Sequence, residues 1–432
     1  MKVIVLGAGV DAELGMPLTC ELIPRIGEFL HTNEGATFDT LVRSCLPRLF
    51  FRFDDFITKT IDKFADDFNR EMAEIKDRVS EELNQNENLN ENERKLGRLI
   101  IIIMDKMSRL RAETTIDDVT VQLIRDVFGD IDVGDASIID YNKLVYTDTF
   151  KAVLKSILQR SLQNSKDPIL RHVYKNLLDI EQLMLKYFVG FYLNKEGYEK
   201  TYLYIVWLLW AYIVIEEKRI TNEIGLENFN RLPIYSQLHG NDWSIITFNY
   251  TTFAKQFVPD NSYYFHGSVA DYIDIETKTW CHIDDDTYSS LDVSSYFQDN
   301  IMPNICFDSA NRHCTIPIFI PPVKIKPVID TRFIQWWSKS EDALIRAEKI
   351  VIVGYSFNAS DDHFNALLKE CQKKPIFVVD TDVHVVKERL SKVLNINIQN
   401  AISGVIQEKP VLKIDNLTLI EAKASEIDYN AL

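Results

Sequence analysis

Four short stretches combine residue types that do chemistry: Gly7-Ala8-Gly9 followed by Asp11, Asn249 after an apolar run, His266-Gly267, and Gly354-Tyr355-Ser356 with Asp380-Thr381 beyond it. Two glycines behind a strand let backbone approach a pyrophosphate, and a following helix turns free N–H groups toward the anion. The spacing to Gly15 is G-x-G-x5-G, not the G-x-G-x2-G of dehydrogenases, so an ordinary tight strand-to-helix turn stays open. An amide at a strand end, as at Asn249, suits a ribose hydroxyl or an ordered water; it also suits a turn or cap. The imidazole of His266 titrates near neutral pH and can take a proton from a hydroxyl, unless it is a satisfied core histidine. Asp11 repels a phosphate. Its chemical use would be to hold a ribose hydroxyl or to stabilise positive charge developing at C1′, charge present only in the transition state. The alternative is an N-cap for a helix over 12–30.

These residues need elements that bring them together. Residues 2–6 (KVIVL) read as a buried parallel strand and residues from about 15 to 30 as a helix. Helical patterns then dominate, with helices predicted over 94–112, 147–163, 169–193 and 199–217, and a low-complexity loop at 84–93. Residues 31–241 therefore read as one large α-helical insertion. Strand character returns at 244–248 and 262–269, then at "KIVIVGYSF" and "KPIFVVDTD"; residues 270–330 look irregular, and 401–432 read as one or two edge strands with a tail. Alternating strands and helices predict an α/β fold with a doubly wound parallel sheet, Rossmann-like, built from 1–30 plus 242–400. In such sheets ligands sit beyond the carboxyl ends of the strands, and every stretch singled out above falls at such an end.

Composition narrows the partners. The chain has 432 residues, 46% of them hydrophobic, and 48 basic against 64 acidic residues give a formal charge of −16. A surface this acidic argues against general affinity for nucleic acid or anionic membranes. The six cysteines form no regular frame and read as reduced cytosolic thiols, and the first residues do not read as a signal peptide. The apolar stretch 201–215 is shorter than the roughly 20 residues of a bilayer crossing. It predicts a buried central helix or an oligomer interface.

Together, "GAGVDAELGMP", "ITFNYTTF", "YFHGS" and "IVIVGYSFNASDDHF" resemble the sirtuin-like NAD-binding domain of bacterial anti-phage defence proteins. Asp11, Phe248-Asn249-Tyr250-Thr251 and the stretch from Gly354 to Asp361 lean toward the related AbiH abortive-infection family. The likeness covers roughly 1–30 and 242–390. It implies a cytoplasmic NAD+ glycohydrolase, giving nicotinamide and ADP-ribose, that acts as a defence effector and is gated by homo-oligomerisation or a partner protein. Asn249, His266 and Asp11 would be catalytic. Gly7, Ala8, Gly9, Val10, Gly15, Pro17, Thr247, Gly354, Tyr355, Ser356, Asp380 and Thr381 would bind NAD as the substrate. A nucleotide sensor without turnover is the alternative. A protein deacylase fits less well, because the chain lacks the Asp-Phe-Arg after the motif proline, the acid two residues after the asparagine, and paired Cys-x2-Cys zinc ligands.

Two groups of residues carry side chains of metal-ligating type. Cys281-His282, Cys306 and His313-Cys314 are separated too irregularly for a compact zinc site, and no metal is expected. Asp284-Asp285-Asp286 and Asp361-Asp362 read as solvated loop acids before they read as ligands for a divalent ion.

Overall fold

Val3, Ile4, Val5 and Leu6 are all fully buried. A strand apolar on both faces belongs inside a parallel sheet, and the pairing of this one bears that out. The computed structural model describes residues 2–60, 80, 83–84, 180–192, 196–225, 234–238, 243–257, 261–308, 311–319, 331–358, 361–396 and 401–432. The helices expected at 94–112 and 147–163, and most of the segment 84–93, lie outside the described residues.

The chain order begins with β1 (Lys2–Leu6), α1 (Ala8–Glu13), α2 (Leu22–Leu30), α3 (Asn33–Cys45), α4 (Ile180–Tyr192) and α5 (Glu196–Ile224). There follow β2 (Trp243–Thr247), α6 (Phe253–Phe257), β3 (Ser262–Tyr264), β4 (Gly267–Asp274), β5 (Trp280–His282), α7 (Asp285–Ser290) and α8 (Val293–Tyr296). After β6 (Cys306–Asp308), β7 (Asn311–His313) and β8 (Thr315–Phe319) come α9 (Thr331–Arg346), β9 (Lys349–Val353), α10 (Asp362–Glu370), β10 (Ile376–Asp380) and α11 (Val383–Leu394). The chain closes with β11 (Ile402–Ile406), β12 (Lys409–Ile414) and β13 (Leu417–Glu421).

Eight strands form the main sheet in the order β11-β12-β13-β10-β9-β1-β2-β3. From β3 through β13 every neighbour is parallel; β12 alone is reversed, pairing antiparallel with both β13 and β11. This is a mixed α/β fold with a mostly parallel sheet, compatible with a Rossmann-like arrangement. The strand order reverses at β1, with β2 on one side and β9 on the other. Leu6 aligns with both Thr247 and Val353, so the carboxyl ends of these three strands form one rim.

Local sequence sets the helices that flank the strands. In α11, Val383, Val386, Leu390 and Leu394 are buried at helical spacing; Asp382 accepts from the Val385 N–H at 3.1 Å, and left-handed Asn395 ends the helix. The helix expected over 15–30 starts late, as α2 at Leu22, because Gly15 adopts φ 107° and Pro17 follows. A separate short helix that was not expected, α1, starts at the glycine turn itself and ends at Glu13. The strand expected over 262–269 is also two strands. It breaks at Phe265-His266, and β4 departs into a three-stranded antiparallel sheet, β5-β4-β8. Gly267 makes the corner, with φ 95° and a Cβ position only 1.8 Å from the Ile318 carbonyl oxygen. The tail forms three strands, all in the main sheet.

The apolar stretch 201–215 lies inside α5. Trp207 and Trp210 are buried, and their indole N–H groups donate to the Thr315 and Val269 carbonyls at 3.0 and 2.8 Å. These contacts make α5 a core helix behind the small sheet. No described helix is long and apolar enough to cross a membrane.

Two compact units divide the chain: Met1–Thr19, Phe29–Phe50 and Glu181–Leu432 in one, Cys20–Glu28 and Phe51–Ile180 in the other. The eight-stranded sheet, the three-stranded sheet and the β6–β7 hairpin all belong to the first. In the second, Phe51 packs edge-on against Phe53 at 5.3 Å, and Gly27 leaves room for Ile57.

Candidate functional site

At the rim, the glycine turn and the β9 turn interlock. The Gly7 N–H donates to the Val353 carbonyl at 2.9 Å and the Gly9 N–H to the Gly354 carbonyl at 3.0 Å. A Cβ on Gly7 would stand 2.3 Å from the Gly354 oxygen, and one on Gly9 2.8 Å from the Gly354 Cα. Gly354 itself adopts φ 59°. The three glycines are thus demanded by contact between two backbones, whatever else they hold. Ala8 and Gly9 remain half-buried, while Val10 is buried. Gly15 closes the C-terminal end of α1, about 9 Å from the turn by helical rise, and half-buried Pro17 follows.

Asn249 joins the two halves of the rim. Its side-chain amide donates to the Gly7 carbonyl at 3.1 Å across 242 residues of sequence, and its own N–H donates to the Thr247 hydroxyl at 3.1 Å. Asp11 lies directly behind. One carboxylate oxygen accepts from the Thr251 hydroxyl at 2.5 Å, the other from the Tyr235 hydroxyl at 3.2 Å. Gly7 is the N-cap of α1, and Asp11 sits inside the first turn, so the N-cap alternative for Asp11 falls away. Burial raises its pKa to about 6, against hydrogen bonds from Thr251, Tyr235 and Asn249 that favour the ionised form.

A second buried acid adjoins it. Glu217 on α5 accepts from the Thr252 N–H at 3.1 Å, from the Thr252 hydroxyl, and from the Tyr288 hydroxyl at 3.1 Å. Burial raises its pKa to about 7, and the negative charge of Asp11 adds to the rise. Consecutive threonines after Asn249 therefore each serve one buried carboxylate.

His266 occupies the corner between the sheets and is buried. Its Nε2 lies 2.9 Å from Asp361 Oδ1, and the Tyr355 hydroxyl donates to Asp361 Oδ2 at 2.9 Å. Phe248 packs edge-on to His266 at 4.9 Å and tilted over Tyr355 at 4.4 Å. Gly7 reaches this group through backbone, because its Cβ position falls 2.6 Å from the Tyr355 Cα.

The β10 side of the rim is more open. Asp380 is half-buried and its pKa is raised to about 6, chiefly by burial; the Asp382 N–H donates to it at 2.9 Å. Thr381 and Ser356 are exposed, and the Ser356 carbonyl accepts from Arg389 at 2.9 Å.

Asp361 is no solvated loop acid. Asp284 is an N-cap that accepts from the Thr287 N–H at 2.9 Å. Cys306 and His313 face one another across the β6–β7 hairpin. Among the described residues no group of three His, Cys, Asp or Glu is arranged to hold a metal ion.

The sequence reading missed Glu217, Thr252, Tyr235, Tyr288 and the role of Asp361. A signal existed for Glu217 alone: it falls four residues after Ile213 and seven after Trp210, on the face of α5 that the buried residues already define. Comparison with protein-family models, curated proteins and solved structures returns no match to this chain.

Proposed function

We propose that the rim binds NAD+ and hydrolyses its nicotinamide–ribose bond, on a doubly wound, sirtuin-like sheet. One observation carries most of the weight: the Asn249 amide meets the glycine turn at 3.1 Å, with a buried carboxylate on one side and a carboxylate-held histidine on the other. In this reading Ala8 and Gly9 run along the pyrophosphate, and Ser356, Asp380 and Thr381 meet the adenosine half. The C1′–N bond breaks with its electron pair passing to the nicotinamide nitrogen. Water adds to C1′ beside Asn249, and its proton passes to His266 and then to solvent. Asp11, ionised above about pH 6, offsets the positive charge that gathers on C1′. The products are nicotinamide, ADP-ribose and a proton.

Such an activity consumes a shared cofactor and needs restraint, so we propose a cytoplasmic abortive-infection effector gated by assembly with itself or with a partner protein. A sensor that binds the nucleotide without turnover has its own support. The Asn249 amide and both Asp11 oxygens are already engaged within the protein.

Nicotinamide release from NAD+ by purified protein separates these readings, with Asn249→Ala and His266→Ala compared at matched thermal stability. Hydrolysis predicts release that both substitutions abolish. Saturable binding without release establishes the sensor, and release only with an acyl-peptide the deacylase. Wild-type rates in both variants refute the assignment of the site.

A further inference from the structure

The helix α5 is buried without a break from Tyr202 to Val214, and one turn further on it buries a carboxylate, that of Glu217, at 1% exposure. A carboxylate buried this deeply is costly unless donors surround it. Glu217 has three: the Thr252 N–H at 3.1 Å, the Thr252 hydroxyl, and the Tyr288 hydroxyl of α7 at 3.1 Å. The Gln256 side-chain amide donates to the Thr252 hydroxyl at 3.1 Å, which leaves that hydroxyl's own hydrogen for Glu217. Direction as well as distance is therefore set at Thr252.

Thr252 closes the link between β2 and α6 that carries Asn249. The link is held residue by residue. The Asn249 amide donates to the Gly7 carbonyl at 3.1 Å, the Tyr250 carbonyl accepts from the Val269 N–H at 2.8 Å, Asp11 holds Thr251, and Glu217 holds Thr252. We propose that Glu217 is a positioning residue for Asn249: it fixes the far end of this link, and with Tyr288 it makes α5 and α7 part of the rim's support. This rests on reading the rim as hydrolytic. Glu217 acts only through Thr252. Apolar packing in its place would press α5 against the link without fixing where the Thr252 N–H and hydroxyl point. Asn249 stands three residues before that anchor, so freedom gained at Thr252 reaches the amide on the glycine turn. A misplacement of about 1 Å at a reacting centre is enough to cost about 100-fold in rate.

The test uses the whole chain with 15N-labelled asparagine at pH 8. The Asn249→Ala spectrum assigns the Asn249 side-chain amide, and its hydrogen exchange is followed. Glu217→Gln keeps the size, removes the charge and turns an NH2 toward groups that are themselves donors. It is expected to speed exchange about tenfold or more and to lower kcat about 10-fold or more, with KM changed less than about threefold. Thr252→Val should act in the same direction and decides alone if Glu217→Gln does not fold. Thr252→Ser keeps the hydroxyl and should retain wild-type exchange. Unchanged exchange in the folded variants overturns the proposal, as does faster exchange with wild-type kcat. Faster exchange in a protein that never releases nicotinamide upholds the positioning and removes the hydrolytic reading instead.

Discussion

Replacing Asp11 by asparagine keeps the shape of a side chain buried at 4% exposure, removes its charge and turns one accepting oxygen into an NH2 donor to which a neighbouring hydroxyl must turn its oxygen. A rise in pKa from 3.8 to about 6, at about 1.4 kcal/mol for each tenfold change in proton affinity, means that ionised Asp11 costs the folded state about 3 kcal/mol. The hydroxyls of Thr251 and Tyr235 and the Asn249 amide pull the other way, so this is what burial still costs after they act. The folded chain holds the proton more tightly than the unfolded one. Stability from that proton is complete below about pH 4 and is lost as pH rises through about 6. Asp11→Asn should therefore match wild type near pH 4 and exceed it by up to about 3 kcal/mol at pH 8. Removing the Asp11 charge also relieves Glu217, which adds to the gain in the same direction. Urea unfolding of both proteins at pH 4, 6 and 8, followed by tryptophan fluorescence, measures the gap. A variant no more stable than wild type at pH 8, or a gap independent of pH, refutes the reasoning. If Asp11 serves the chemistry, the stabilised variant should also be the inactive one, as expected where a site retains an unfavourable charge for function.

The interlocked turns and the core helix give two further outcomes. Gly7→Ala places a methyl 2.3 Å from the Gly354 carbonyl oxygen, so the variant should lose about 1–3 kcal/mol or more in thermal unfolding and loosen the whole rim. Equal melting would show that the two turns do not press on each other. Trp210→Ala empties a fully buried site and orphans the Val269 carbonyl, with an expected loss of about 3–5 kcal/mol in denaturant titration. A loss below about 1 kcal/mol would place α5 outside the core.

Much of the scaffold was legible in the residues themselves. Uninterrupted apolar runs at Lys2–Leu6, Lys349–Val353 and Ile376–Asp380, each followed by a turn, specify strands buried on both faces, and such strands pair in parallel. Gly7, Asn249, Gly354 and Asp380 stand at strand ends by their position in sequence, so they had to reach one rim once the strands aligned. What each side chain touches there was not written locally. Asp11 finds Thr251 across 240 residues and Tyr235 across 224, and Glu217 finds Thr252 across 35. An aspartate two residues past a glycine has the same local propensities whether it caps a helix or sits buried. Only the helix starting at Gly7 rather than after Asp11, and the register that sets Leu6 beside Thr247, decided between them. His266 shows the same division. Its place after a strand was evident, but the corner that turns it toward Asp361 arises because Gly267 leaves one sheet for another. Burial pattern is a property of a segment, whereas a hydrogen-bond partner is a property of how distant segments cross, and chemistry depends on the second.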